Sequence, residues 1–397
     1  MKAGGSDLTY CTNIHPGETW DEISGNLRRY LPAIKRRVSG DEPFGIGLRL
    51  SAVAAQALRQ PEAMLRFSSF MADEGLYVAT INGFPYGPFH GARVKEGVYL
   101  PDWRDEARLD YSNLLADLFA QWLVQAGRSV GSISTVPGAF KPNAATEADV
   151  ERIVEMLIRH AAHLVAIERA TGCRIVLALE PEPCCFLETI EEAVSFFRGH
   201  LHSSAAAARL AELAGLDRAA AGRALRDHLG VCLDLCHAAV EFEAAADCID
   251  ALESEGIAIA KIQVTAGLRV DRVSAASVEA LRSFDDAVYL HQVVERRGGA
   301  LIRYSDLGEA LASTGWRDGG SEWRIHFHVP VFIDRLEGFT STQAFVRDVL
   351  QLQRQRPRSA QLEVETYTWS VLPAQYRDLP LEDAIARELT WVQGELS

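Results

Sequence analysis

"RIVLALEP", residues 174–181, is a short apolar run that closes on a carboxylate and a proline, and Glu182 and Pro183 follow at once. Side chains alternate between the faces of a strand, so Leu177 and Leu179 point one way while Ala178 and Glu180 point the other. Two prolines then stop the strand. Runs of the same kind recur along the chain: "LTYCTNIH" (8–15), "FGIGLRLS" (44–51), "LYVATING" (76–83), "GSISTVPG" (131–138), "GVCLDLCH" (230–237), "IAKIQVTAG" (259–267), "RIHFHVPVF" (324–332) and "QLEVETYTW" (361–369). Between them lie helical patterns. In residues 146–172, Thr146 and Asp149 make a capping-box pair, Ile153, Leu157, Leu164 and Ile167 form an apolar stripe, and Gly172 marks the end. Alternation of this kind predicts βαβ units around a parallel sheet.

The reading that follows is an α/β fold, a (β/α)8 TIM barrel in which residues 8–397 form one domain. Nine candidate strands are one more than eight, so "RIHFHVPVF" is taken as an extra strand. Residues 268–323 are too many for an ordinary connection and are expected to build an inserted cap before the HFHVP strand. The Ala-rich stretch 204–230, broken at Gly215, is expected to be a helical insertion. A doubly wound open sheet is the rival architecture, but its glycine-rich phosphate turn is missing. "FGIGLR" has two spaced glycines and no third.

The 397 residues carry 40 basic and 54 acidic side chains, a net charge of -14 without a Lys/Arg block, which argues against a nucleic-acid partner. Seven cysteines, an odd number at low density, fit a reducing cytoplasm. The N-terminus has no apolar signal region, and no run approaches a membrane span, so neither export nor membrane insertion is expected. The partner expected is a small molecule; a homo-oligomer is left open.

Polar residues close several of the apolar runs. In "GVCLDLCH", Cys232, Asp234 and Cys236 share a parity facing away from Leu233 and Leu235, with His237 at the exit. The cysteine spacing does not match haem attachment and reads as small buried thiols. Lys261, Gln263 and Thr265 share a parity, as do His326 and His328, and Glu363, Glu365 and Tyr367. Asn13, His15 and Asn82 close earlier runs. Any one of these could be a hydrogen-bonded core residue; their recurrence at strand ends points to a site at the barrel mouth. Carboxylates with one nitrogen or amide oxygen suit a divalent ion such as Mn, Mg, Co or Zn. Such an ion could hold two oxygens of a polyhydroxylated substrate and polarise its carbonyl while carboxylates move a proton at the adjacent carbon. Glu180 would then be a metal ligand that doubles as acid and base.

A Glu closing one strand, D-x-x-H closing the next, a polar residue on the following strand and a Glu on the last resemble the xylose isomerase-like TIM barrels, the superfamily of sugar isomerases, sugar epimerases and endonuclease IV. The resemblance implies that Glu180, Asp234 and Glu365 are metal ligands and that His237 contacts substrate or a second metal. The remaining ligand, usually His, falls on Gln263. Either Gln263 coordinates through its amide oxygen, or His328 from the extra strand takes over, or metal binding is weakened. More narrowly, "YCTNIHPGETW", "SISTVPGAFK", "LALEPEPCC", "CLDLCH", "HFHVPVF" and "EVETYTW" resemble the Ebo-type TIM-barrel proteins, called metabolite traffic proteins.

The loop 87–103 offers His90, Arg93, Lys95 and Tyr99 as a basic and aromatic rim. Asn13, His15, Asn82, His90, His326 and Trp369 are the candidate substrate-binding residues, and Glu180, Glu365 and His237 the candidate catalytic ones. The function expected is a metal-dependent sugar isomerase or epimerase acting by proton transfer on a hydroxy-carbonyl metabolite in a secondary-metabolite pathway. Its alternatives are a non-catalytic metabolite-binding protein and a metal-dependent hydrolase of the endonuclease IV-like type.

Overall fold

The structure is a computed structural model that describes residues 1–90, 94–144, 146–372, 377 and 379–397. Eight parallel strands carry the fold: β1 (Ser6–Tyr10), β2 (Phe44–Arg49), β3 (Leu76–Asn82), β4 (Val130–Thr135), β5 (Arg174–Leu179), β6 (Leu229–Asp234), β7 (Ala258–Val264) and, last in the chain, β14 (Gln361–Val364). From β2 to β7 each pairs with its neighbour in sequence. β14 then pairs with both β7 and β1. A parallel bridge between Cys11 and Gly47, with Thr9 Oγ1 donating to Gly45 O at 2.6 Å, links β1 to β2. The result is a curled parallel sheet whose strands are buried almost throughout, as strands covered on both faces must be.

Local chemistry explains the covering helices. Thr146 and Asp149 cap helix Glu147–Thr171 reciprocally, and Gly172 ends it in the left-handed conformation at φ 72°. Helices Ser204–Ala214 and Arg218–His228 are separated at Gly215, φ 60°, and pack on that helix. Among the described residues no helix is long and apolar enough to cross a membrane.

A second, antiparallel sheet runs from Ala266 to Ser341. It contains β8 (Ala266–Val270), β9 (Val293–Arg297), β10 (Ala300–Tyr304), β11 (Glu322–Val329), β12 (Arg335–Leu336) and β13 (Phe339–Ser341). Its first strand follows β7 after Thr265 alone, and the HFHVP run ends β11 at Val329, antiparallel to β8 and β9. The register of β11 against β8 shifts between Ile325 and Val329. Alternation leaves Phe327 packed on Phe284 and His291 while His326 and His328 share the other face.

The interior of the curled sheet is polar and layered. Gln361 Nε2 donates to Ala79 O at 2.9 Å, and its amide oxygen accepts from Ser132. Two residues up β14, Glu363 forms a fully buried ion pair with Lys261, which also donates to Ser134 Oγ at 3.3 Å. A Cβ on Gly47 would lie 1.5 Å from Glu363 Oε1 and 2.9 Å from Tyr10 O. The glycine in "FGIGLR" therefore makes room for a carboxylate; it belongs to no phosphate turn.

Gly47→Ala is expected to displace Glu363 from Lys261 and destabilise the fold by about 3–5 kcal/mol, the effect of breaking a buried pair, measured by urea unfolding. A second outcome concerns His160, whose Nδ1 bonds Asn113 Oδ1 at 2.7 Å while burial holds its pKa down at about 3 against an ordinary 6.5. The unfolded chain takes up that proton first, so stability present above pH 6.5 is lost as pH falls toward 3. The parent should lose more stability than His160→Gln between pH 7 and pH 4, and equal losses would contradict this.

Candidate metal centre

Three acids meet above the Lys261–Glu363 layer. Glu180 follows β5 directly, its N–H donating to Thr135 O at 3.1 Å before Pro181 ends the strand. Asp234 ends β6 and caps helix Leu235–Val240. Its Oδ1 accepts from Cys236 N at 2.7 Å, His237 N at 3.1 Å and Thr265 Oγ1 at 2.8 Å. Glu365 follows β14, its Oε1 accepting from Asn13 Nδ2 at 2.6 Å and Asn82 Nδ2 at 2.9 Å. One oxygen from each acid lies within 4.8 Å of the others. Glu180 Oε2 and Asp234 Oδ2 are buried without a hydrogen-bond partner.

Among the described residues no Lys or Arg forms an ion pair with these three acids. Burial first, then Glu365 and Asp234, push the Glu180 carboxyl well above its ordinary range, with Lys261 opposing. Burial, Asp234 and Glu363 push Glu365 up to about 8, against Lys261 and the hydrogen bond from Asn13. Lys261 is already engaged by Glu363. Convergent buried carboxylates with free oxygens fit a bound cation, which favours the ionised form of all three. Gln263 stands at the level of Asp234 and Glu363 on the neighbouring strands, its amide nitrogen turned to Glu363, whose pKa burial raises and Lys261 and this amide lower, and its buried Oε1 without a hydrogen-bond partner. Its Oε1 is thus available as a further oxygen ligand.

Beside the acids stand three imidazoles. His237 Nε2 is 3.1 Å from His326 Nε2, which is 3.2 Å from His328 Nε2. Their Nδ1 atoms meet Pro181 O at 2.9 Å, Gln292 Oε1 at 2.8 Å and Glu365 O at 2.6 Å respectively. Burial and the neighbouring His237 keep His326 far below the usual histidine range. Burial likewise lowers His328 to about 4, with Asp234 opposing. Glu182 accepts from Tyr99 Oη at 2.7 Å and Gln292 Nε2 at 2.9 Å. The structure therefore groups His328 with His237 and Asp234, and the carboxylate trio forms without it.

The pocket above is narrow, with a water-accessible core of about 60 Å³ inside about 530 Å³ of empty space once its opening to solvent is counted. Glu180, Glu182, His237, His326, His328 and Glu365 line its polar end, with Phe84, Phe89, Tyr99, Tyr289 and Tyr367 along the wall. Asn13 and Asn82 reach the lining, yet their amides hold Glu365. His15, expected to bind substrate, instead bonds Tyr10 Oη at 3.0 Å and stacks on Tyr30 at 4.4 Å, off the pocket, because the turn after β1 directs it outward. Trp369 is likewise off the lining, packed into the hydrophobic core. His90 stands behind the wall, tying Asn13 O at 2.5 Å to Tyr289 Oη at 2.8 Å. Arg93 lies outside the described residues.

Strand parity alone did not reach Glu182, because two prolines flank it, nor Gln292, which has no local signal at all. Lys261 and Glu363 were visible as same-parity polar residues, but their pairing was not.

No known family profile and no curated protein matches the chain. Among solved structures, it is similar to D-psicose 3-epimerase with D-tagatose from Clostridium cellulolyticum H10, at 10% identity over 98% of this chain and 99% of that one, with a TM-score of 0.49. It is similar to the IOLI protein with a binding zinc atom, at 11% identity over 98% of each chain and a TM-score of 0.45. It is also similar to a xylose isomerase domain protein from Planctomyces limnophilus, at 12% identity over 88% of each chain and a TM-score of 0.45.

Proposed function

We propose that the curled sheet is a (β/α)8 barrel of xylose isomerase-like type, capped by the antiparallel sheet, and that the chain is a metal-dependent isomerase or epimerase. It would act by proton transfer on a small hydroxy-carbonyl metabolite of sugar or polyol type. The observation that supports this reading is the meeting of Glu180, Asp234 and Glu365, far apart in sequence, buried, with Glu180 Oε2 and Asp234 Oδ2 unpartnered and, among the described residues, no Lys or Arg paired with them. A divalent ion, Mn, Mg, Co or Zn, would be held by these acids and Gln263 Oε1 and would supply Lewis acidity toward the substrate's carbonyl and hydroxyl oxygens.

The chain's own residues do the rest. Glu180 Oε2, unpartnered, takes the proton from the carbon beside the carbonyl. Glu365 is anchored through Oε1 by Asn13 and Asn82, which leaves Oε2 to return a proton. Phe84, Phe89, Tyr289 and Tyr367 keep bulk water from the reacting carbon. The setting is the cytoplasm, where the seven free cysteines would remain thiols. The Ebo-type likeness belongs to the same proposal, as a binding role for the same pocket.

Metal analysis after incubation with Mn or Zn should find a bound divalent ion in the parent and a loss in Glu180→Gln and Glu365→Gln. The parent should exchange a substrate C–H proton into deuterated water when offered aldoses and ketoses, and Glu180→Gln should slow this about 10²–10⁴-fold. Metal-free parent protein would sink the enzyme reading and favour a carrier. Metal with release of phosphate or alcohol would make it a hydrolase. Asn82→Ala, which frees Glu365, is expected to weaken metal binding about 10–100-fold without unfolding the protein, read by competition with a chelator.

A further inference from the structure

We propose that the pocket selects an uncharged substrate whose hydroxy-carbonyl head is attached to a hydrocarbon ring or chain, in preference to a fully hydroxylated sugar or a sugar phosphate. The inference rests on the reading above for the place of the reacting head; the choice of tail follows from the pocket wall.

Charge is the first constraint. Among the described residues that line the pocket, Lys95 is the only lysine or arginine. Its Nζ is already engaged, by Asp306 Oδ2 at 2.6 Å and Asp286 O at 3.2 Å. In sequence, residues 87–103 read as a basic and aromatic rim, yet in the structure the lysine is paired and His90 joins Asn13 O to Tyr289 Oη. Arg49, whose guanidinium stands 5.9 Å from the Phe89 ring, is committed to Glu18 Oε2 at 2.9 Å and Gly17 O at 3.0 Å. The polar end of the pocket carries Glu180, Glu182 and Glu365, with Asp234 beside them. One divalent ion offsets two of those charges. A phosphate or carboxylate entering here would meet acids and, among the described lining residues, no uncommitted ammonium or guanidinium.

Hydrogen-bond supply is the second constraint. Tyr99 Oη donates to Glu182 Oε1 at 2.7 Å and accepts from Gln292 Nε2 at 2.8 Å, and Tyr289 Oη bonds His90 Nδ1 at 2.8 Å. The Tyr367 hydroxyl lies 3.5 Å from His326 Nε2, at the polar end. Pro85 has no N–H, and the N–H of Val94 is taken by Val288 O at 2.9 Å. Phe84, Phe89, Val98 and Leu290 add only ring and hydrocarbon. Phe89, Tyr289 and Tyr367 pack on one another, with ring centres 5.4, 5.2 and 5.0 Å apart, so this stretch of wall is built as a unit. Unpartnered acceptors collect instead at the other end, where Glu180 Oε2 and Asn13 Oδ1 are buried without hydrogen bonds. A hydroxyl pressed against the wall gives up water for no partner, at about 10-fold in affinity per group, whereas a hydrocarbon buried there gains affinity. The pocket is polar at one end only, and the molecule that matches it is polar at one end only.

The test loads the full chain with Mn and measures the binding of three probes by calorimetry: phenacyl alcohol, which is a hydroxyketone bearing one phenyl ring, fructose, and the terminal phosphate ester of fructose. Phenacyl alcohol should bind about 10–100-fold more tightly than fructose, and the phosphate ester no better than fructose. The double variant Val98→Ser with Leu290→Ser, at two half-buried wall positions, should weaken phenacyl alcohol about 10-fold. Fructose or its phosphate ester binding the parent as tightly as phenacyl alcohol, no binding of phenacyl alcohol, or undiminished affinity in a folded double variant would overturn the proposal. The parent's binding order decides the matter if the double variant does not fold. Exchange of probe C–H protons into deuterated water is read separately on the same samples. The expected binding order without exchange of any probe would remove the isomerase reading and leave this one standing, and exchange of fructose with the reverse binding order would do the opposite.

Discussion

Buried negative charge without a counter-ion governs the upper half of the curled sheet. Glu180, Asp234 and Glu365 bring carboxylate oxygens within 4.8 Å of one another. Lys261, the cation that acts on Glu180 and Glu365 from inside the sheet, is held by Glu363. Two buried layers thus have opposite character. The Lys261–Glu363 layer is internally neutral, and the layer above it is acidic and incomplete. Like charges in a low-dielectric space repel strongly, so the upper layer is stable with protons or with a metal and poorly stable without either.

The layers follow from strand periodicity. Gln361, Glu363 and Glu365 lie two residues apart on β14 and its extension, so they stack on one face at successive depths. Gln361 is satisfied by Ser132 and Ala79 O, Glu363 by Lys261, and Glu365 by two asparagine amides at Oε1. Gly47 completes the arrangement by its missing side chain, since any Cβ would occupy the space Glu363 fills.

The second sheet adds what the parallel strands lack. Through β11 it carries His326 and His328 over the strand ends, and through Gln292 it holds Nδ1 of His326 at 2.8 Å while binding Glu182. Tyr289 and Tyr367 pack with Phe89 to form a wall between the sheets. Lys95 from the loop after β3 reaches Asp306 at 2.6 Å, which links that loop to the second sheet. Acids and His237 from one sheet and His326 and His328 from the other therefore share a single pocket, with Asp234 beside it near both groups.

The strand runs, the capped helix 147–171 and the acids at strand ends were legible in the sequence because they depend on short-range rules: a period of two along strands, capping chemistry and the rarity of acids inside apolar runs. Parallel strands all end at the same side, so local parity was enough to bring Glu180, Asp234 and Glu365 together on paper. The same rules failed beyond a turn. His15 and Trp369 follow strand ends just as Glu180 does, yet the chain has left its strand by then and packing decides where they point. Whether Gln263 or His328 stands by the acids could not be read either, because β11 pairs with β8, more than fifty residues away, in a register that no local pattern encodes. By itself the sequence determined the polar residues that close the strands and the face each one takes; only the tertiary structure decided that Lys261 pairs with Glu363 rather than with the acids above it, and that His237, His326 and His328 meet through Nε2, because both depend on distances between strands remote in the chain.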